Sequence, residues 1–373
     1  MSRRIFSRHN NGELANSWKH SGAESNTMGV TCAVFGCTGF LGRYVAGAGA
    51  LHKYTQICPY RHRSGVNGSV RPVRHLGDGT NGQMFPTDYE IDKEFVVKAV
   101  LEKVENVFNC VGMWQEPAKY EHSQSWFDME AVNVEWPRLL ARWSREMGIN
   151  RFVHISMAGA DVNSKSKVLR QKALSEQAVL EEFPRATIIR STDMFSEDDW
   201  TYTRYLKAQR YWKIVPVPNN GLRIHQPVFA GDIAEAAMRS IRIDHTEGRI
   251  AELGGPIRVT TNDILRWCSE VNSLYHYTMP LPKPVWKVMT YLNERSFIRK
   301  GAVIGPRIPS WNRDWLERQY IDCVAMPERN PDLLDWEDFG ICRDDLYRLE
   351  EKFFLVSSMY ATENAYHDHG RWL

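Results

Sequence analysis

Short, almost unbroken apolar runs alternate with stretches of helical period along the first two hundred residues of the chain. The run at 30–36 (VTCAVFG) is nearly all apolar and ends in glycine, which predicts a strand covered on both faces. A helical stretch follows to about residue 53. Further strands are predicted at 55–61 (TQICPYR), 83–88 (QMFPTD), 106–112 (NVFNCVG), 151–157 (RFVHISM) and 186–191 (ATIIRS). Helices are predicted over 90–104, 133–147 and 165–182; Gly148 closes the second as a C-cap and Pro184 stops the third. This rhythm predicts an α/β fold built on a doubly wound parallel sheet. Beyond about residue 195 it breaks, segments shorten, and Trp, Tyr and Pro become frequent.

Candidate chemistry begins where the first strand meets its helix. In AVFGCTGFLGRYVAG (33–47), Gly36, Gly39 and Gly42 form a GxxGxxG spacing. The first glycine permits a tight turn, the second lets backbone approach a pyrophosphate, and the third lets helix and strand pack closely. The helix start adds unpaired N–H groups and a positive dipole end for phosphate. Glycine spacing alone is weak; with strand, turn and helix in order it predicts a dinucleotide site on a Rossmann sheet. An NAD site needs an acid at the end of the second strand to accept the ribose hydroxyls. Here that segment reads CPYRHRS, with Arg61 in the acid's place, and Arg43 follows the third glycine. Two guanidinium groups suit a 2′-phosphate, so the expected cofactor is NADP(H), held as NADPH. Asp88, ending the third strand, is placed to accept from the adenine amino group. Asn109 and Val111, ending the fourth, line the cofactor.

Composition narrows the partners. The 373 residues, 43% of them hydrophobic, suffice for one large domain and a smaller one with a sizeable core. A net charge of +2 with acids and bases interspersed supplies no basic stripe, which argues against a nucleic-acid partner. Seven cysteines include no CxxC pair, so neither a zinc site nor a disulfide framework is indicated and a reducing compartment is expected. His367 and His369 in the tail are too few for a metal, and none is expected. No apolar run reaches the roughly 18 residues of a membrane span. The opening MSRRIFSR is arginine-rich and acid-free, which suits a mitochondrial targeting segment or a plain N-terminal arm. The predicted organisation is that arm at 1–28, an NADP(H)-binding Rossmann domain at 29–259, and a C-terminal docking domain and tail at 260–373.

The nucleotide-site features resemble the short-chain dehydrogenase/reductase superfamily in its extended or atypical branch. The resemblance implies a Tyr-x-x-x-Lys pair on a helix and a Ser or Thr ending the preceding strand, with the tyrosine as proton carrier. Ser156 ends the strand RFVHIS, and Lys172 lies on the next helix in VLRQKALSE. Four positions before Lys172 stands Val168, which has no proton to give, and no tyrosine occurs from 121 to 201. Lys172 can still hold the ribose, so the binding parts survive and the chemical part does not. His154, Asp161, Asp193 and His225 remain as other proton sources. A soluble NADP-dependent reductase or isomerase using Lys172 without a tyrosine is therefore the alternative reading.

VFGCTGFLGRYV, CPYR, FVHIS with LRQKALSE, HQPVFAGDIA and RQYIDCVAMPERNPDLLDWEDFGI (318–341), in that order, are more specific. They resemble the family of NADPH-binding accessory subunits of mitochondrial respiratory complex I, over residues 29 to 345. The resemblance implies a protein that keeps NADPH without turning it over. It implies a peripheral place on the matrix side of the inner membrane, near the junction of the peripheral and membrane arms, with other complex I subunits as partners. It also implies cofactor contacts at Gly36, Thr38, Gly39, Phe40, Leu41, Gly42, Arg43, Arg61, Asp88 and Lys172, with no catalytic residue. In the C-terminal region, 280–301 (PLPKPVWKVMTYLNERSFIRKG) sets Val285, Val288, Met289 and Leu292 at helical spacing, flanked by Lys283, Lys287, Arg295, Arg299 and Lys300. A basic amphipathic helix of this kind suits a membrane surface or a membrane subunit.

Overall fold

The computed structural model of the chain describes residues 29–60, 83–88, 93–114, 128–196, 199, 202, 214–272, 277–294, 312–326, 330 and 332–349. Its regular elements open with β1 (Thr31–Phe35), α1 (Phe40–Leu51), β2 (Thr55–Tyr60), β3 (Gln83–Asp88), α2 (Glu94–Leu101) and β4 (Asn106–Asn109). They continue with α3 (Trp136–Glu146), β5 (Arg151–Met157), α4 (Lys167–Glu182), β6 (Thr187–Ser191) and the short strands β7 (Met194–Phe195), β8 (Ile214–Val217), β9 (Ile224–His225) and β10 (Val228–Phe229). Then come α5 (Ala230–Ser240), β11 (Ile250–Leu253), β12 (Val259–Thr260), α6 (Thr261–Asn272), β13 (Tyr277–Pro280), α7 (Lys283–Glu294) and α8 (Arg313–Arg318).

Seven strands form one sheet in the order β11-β6-β5-β4-β1-β2-β3, and every neighbouring pair is parallel. This is the doubly wound α/β sheet that the apolar runs predict. The order reverses between β1 and β4, which opens a crevice at their carboxyl ends. In register, Phe35 faces Asn109, Asn109 faces His154, and Ser156 faces Arg190. Helices cover both faces of the inner strands, so β4 and β5 are buried at every position, and their polar residues Asn106, Asn109, Arg151, His154 and Ser156 are all hydrogen-bonded. Phe35, Val107, Trp136, Leu140, Phe152 and Val179 belong to one buried cluster, with Phe35 meeting Trp136 edge-on at 5.6 Å. The six strands expected from the sequence are joined by β11, which was not expected.

The described residues within Met1–Ser191, Ala230–Leu253 and Met326–Arg343 form one compact unit, and those within Thr192–Phe229, Gly254–Ala325 and Asp344–Leu373 form another. The linear division expected at 259/260 does not follow them. After β6 the chain leaves the sheet, and it returns with α5 to lay β11 beside β6. The second unit has its own buried cluster of Phe195, Tyr202, Val259, Ile264, Cys268 and Leu349. Within it α7 buries Trp286 and Thr290, while Val285, Val288 and Leu292 are exposed. Among the described residues no helix is long and apolar enough to cross a membrane, and no cluster of side chains could hold a metal ion. All seven cysteines are free thiols.

Candidate functional site

The loop after β1 is built from backbone contacts that leave no room for side chains. Gly36 takes a φ of +85°, and a Cβ there would lie 2.9 Å from the Cys110 carbonyl carbon at the end of β4. Gly39 caps α1 and donates its N–H to Gly36 O at 2.8 Å. A Cβ on Gly42 would stand 2.0 Å from that same oxygen, so the helix presses directly on the turn. The α1 N-terminus has no side-chain cap and no acid in its first turn, so its N–H groups suit an anion. Thr38 is half-buried, Leu41 is buried, and Phe40 packs against Tyr44 at 6.2 Å. Arg43, half-buried, directs Nε at Gly39 O (3.4 Å).

At the crevice's other wall, Asn109 ends β4 fully buried. Its Oδ1 accepts from the Val111 N–H at 3.2 Å, which leaves Nδ2 to donate to His154 Nδ1 at 3.1 Å. The His154 hydrogen is then on Nε2, aimed at Ser175 Oγ at 2.9 Å. Burial, helped by the charge of Lys172, holds the His154 pKa well below the usual imidazole range. A neutral ring with both nitrogens engaged is part of the core and is no proton source. Asn133 sits in a π-helical turn at Ala131–Glu135 just before α3. It accepts from the Met113 N–H at 2.7 Å and donates to Met113 O at 2.9 Å and to Gln171 Oε1 at 3.0 Å. Asn133 thereby ties the loop after β4 to α4, and nothing local in its sequence marks it.

Lys172 and Ser156 are brought together where β5 and α4 meet, each with its polar group engaged. Lys172 is buried, donates from Nζ to Ile155 O at 2.9 Å, and would lie 3.5 Å from a Cβ on Gly112. Burial lowers its pKa to about 8, against the opposing pull of the Glu176 charge. The Ser156 hydroxyl donates to the Glu176 carboxylate. Arg190 on β6 grips the same carboxylate, Nε to Oε1 at 3.0 Å and Nη2 to Oε2 at 2.6 Å. Val168 lies in the first turn of α4, fully buried, just after the N-cap Ser166. The other acid–base candidates are also committed. Asp161 Oδ1 accepts from the Asn163 N–H at 3.0 Å. Within the second unit Asp193 accepts from Arg223 at 2.9 Å and from His225 Nδ1 at 2.8 Å, while His225 Nε2 meets Thr261 Oγ1 at 2.9 Å. Arg61, the arm at 1–28, residues 295–300 and the tail with His367 and His369 lie outside the described residues, as does the side chain of Asp88.

No family model matches the chain. It is 32% identical over 324 residues to the Mus musculus protein named NADH dehydrogenase (ubiquinone) 1 alpha subcomplex subunit 9, mitochondrial, covering 86% of this chain and 78% of the mouse protein. The Arabidopsis thaliana protein of the same name is 32% identical over 280 residues, covering 74% of this chain and 66% of its own length, just short of two thirds. Among solved structures, the leucoanthocyanidin reductase–NADPH binary complex from Vitis vinifera is similar with a TM-score of 0.64 at 14% identity, covering 88% of this chain and 99% of that one. That last likeness is one of fold.

Proposed function

The chain belongs to the family of mitochondrial proteins named NADH dehydrogenase (ubiquinone) 1 alpha subcomplex subunit 9, and from that premise we propose that it is a non-catalytic, NADP(H)-binding accessory subunit of respiratory complex I. Its partners are other subunits of NADH:ubiquinone oxidoreductase. It is peripheral, on the matrix side of the inner membrane, where it stabilises the junction of the peripheral and membrane arms. Its C-terminal region, with the exposed Val285, Val288 and Leu292 of α7, meets the membrane surface.

The uncapped, acid-free start of α1 fits a pyrophosphate, and Lys172 at the crevice fits the ribose hydroxyls. Bound, the dinucleotide would supply a hydride; the chain's own residues bind and orient it. The observation that carries the non-catalytic reading is Val168, a buried hydrocarbon in the place of a phenolic proton carrier. Carbonyl reduction without a positioned proton donor loses about 10²–10⁴-fold in rate. The Ser156 hydroxyl, which would orient a carbonyl, is taken up by Glu176. Held at 100 times its dissociation constant, the nucleotide stabilises the fold by about 2.7 kcal/mol through mass action.

The test follows the NADPH that copurifies with the assembled complex while the complex oxidises NADH. Its retention unchanged over many turnovers is expected; consumption at the turnover rate removes the structural role. The reductase alternative draws on the lowered pKa of Lys172. It requires substrate-dependent NADPH oxidation by the purified chain, which the present reading excludes.

A further inference from the structure

Exposed large apolar side chains crowd into one short segment of the second unit: Tyr277 and Met279 on β13, then Val285, Val288, Tyr291 and Leu292 on α7. Val285, Val288 and Leu292 recur at i, i+3 and i+7, so one stripe of α7 faces outward while Trp286 and Thr290 are buried on its other side. An apolar stripe of this kind marks a surface that something covers. Beside it a cleft of about 450 Å³ opens between α7 and α8, lined by Lys287, Val288, Tyr291, Arg313, Leu316 and Glu317. Leu316, 1% exposed, closes its floor. Trp286 packs on Trp315 with ring centroids 5.6 Å apart, which fixes the one helix against the other.

The charges of the cleft are ordered. Glu317, the acid of its lining, accepts from Lys283 Nζ at 2.8 Å, and Lys283 also stands 4.3 Å from the Tyr320 ring centroid. The Arg313 guanidinium lies over the Tyr291 ring at 4.8 Å, which holds that cation against the apolar wall. Lys287 is exposed, one residue before Val288. Lys283, Lys287 and Arg313 thus set three cations against one carboxylate, directly beside hydrocarbon. We propose that the cleft seats the phosphate of an anionic membrane lipid between Lys287 and Arg313, with the lipid's hydrocarbon along Val288 and Leu292. This rests on the membrane contact proposed above and names the lipid group that makes it.

The chemistry of such a lipid matches the cleft part by part. Its phosphodiester stays negative at any physiological pH, and it accepts from a guanidinium fork and from an ammonium alike. Its hydrocarbon leaves from the same glycerol, so charge and apolar surface must be adjacent in any seat for it, as Lys287 and Val288 are. The exposed rings of Tyr277 and Tyr291 suit the headgroup level, where amphipathic aromatics gather. Six lining side chains from α7 and the six-residue α8 make a seat for a headgroup, whereas a partner helix needs anchors along two of its own turns. All of these residues belong to the second unit, so the seat needs nothing from the first.

The experiment sediments the full-length chain with phosphatidylcholine vesicles, with and without phosphatidylglycerol as their anionic lipid. Binding about tenfold tighter to the anionic vesicles is expected, weakening as salt rises. Lys287→Gln is expected to lose about fivefold on the anionic vesicles and nothing on the neutral ones. Val288→Asp is expected to lose binding to both. Lys103→Gln, which removes an exposed cation of the first unit, is expected to bind as the parent does. A loss there equal to that of Lys287→Gln leaves only net-charge attraction and overturns the seat. Excess glycerol 3-phosphate is expected to displace nothing; release by it makes the cleft a site for a free phosphate ester and overturns the lipid. Equal binding to both vesicles, unchanged in Lys287→Gln, overturns the phosphate seat and leaves the membrane contact standing. No binding to either vesicle removes the contact and the seat together. A Lys287→Gln chain that binds anionic vesicles as the parent does, yet no longer assembles with its partner subunits, shows that the cleft docks protein instead.

Discussion

A Cβ on Gly42 would sit 2.0 Å from the Gly36 oxygen and 2.9 Å from Cys37 Cα, whereas one on Gly47, further along the same helix, meets nothing within 4 Å. Gly42→Ala is therefore expected to destabilise by at least about 1–3 kcal/mol, since backbone cannot yield as a flexible side chain would. Gly47→Ala is expected to stabilise by about 0.5–1 kcal/mol, because only backbone freedom is removed. Thermal melts of the two variants decide this, and equal shifts would refute the steric account. Lys172 makes a second residue-scale prediction. Its native pKa of about 8 is below the 10.5 of an unperturbed lysine, so between those values the unfolded chain carries the extra proton. Stability from this group thus rises as pH climbs through that window and is lowest below it. Denaturant titrations of nucleotide-free protein should show the rise in the parent and not in Lys172→Met. These glycines were legible early because spacing along one strand–turn–helix specifies them, and Lys172 because the superfamily resemblance implies a lysine there. The engagement of Ser156 was not, since Glu176 and Arg190 meet it only across the fold.

Glu176 joins three elements: Ser156 ends β5, Glu176 rides on α4, and Arg190 is on β6. Glu176 is almost fully enclosed, and Arg190 is four-fifths so, at 5% and 21% side-chain exposure. Glu176→Ala leaves a guanidinium largely out of water with only the charge of Glu252 on β11 to offset it, and a loss of about 3 kcal/mol is expected. Ser156→Ala removes one hydrogen bond and is expected to cost about 1 kcal/mol. Chemical denaturation of the two variants orders them, and a Ser156→Ala loss as large as that of Glu176→Ala would contradict the ion pair's dominance. The strands themselves were readable because each carries a short apolar run between helical stretches. β11 escaped notice: it is only four residues long, and a segment of the second unit follows it directly.

The whole molecule interleaves two units along one chain, and each buries a histidine in neutral form. His154 is held down by burial and by Lys172, and His225 by burial and by Arg223 despite the favourable Asp193. Both native pKa values lie below the ordinary 6.5, so on acidification the unfolded chain takes up protons that the native one refuses. Stability should therefore fall as pH drops through that value. Unfolding free energies that stay level across it, with His154→Gln no different in slope from the parent, would remove this explanation.

The amino-acid sequence by itself determined the parallel sheet, the glycine turn at its first strand and the hydrocarbon at position 168. Each is a local pattern, decided by what a strand, a tight turn or a helix face will tolerate. Tertiary structure alone decided that β11 returns to the sheet, that Glu176 occupies Ser156, and that Asn133 braces the loop after β4. Those pairings join residues far apart in the chain, and their partners are chosen only when the strands come into register.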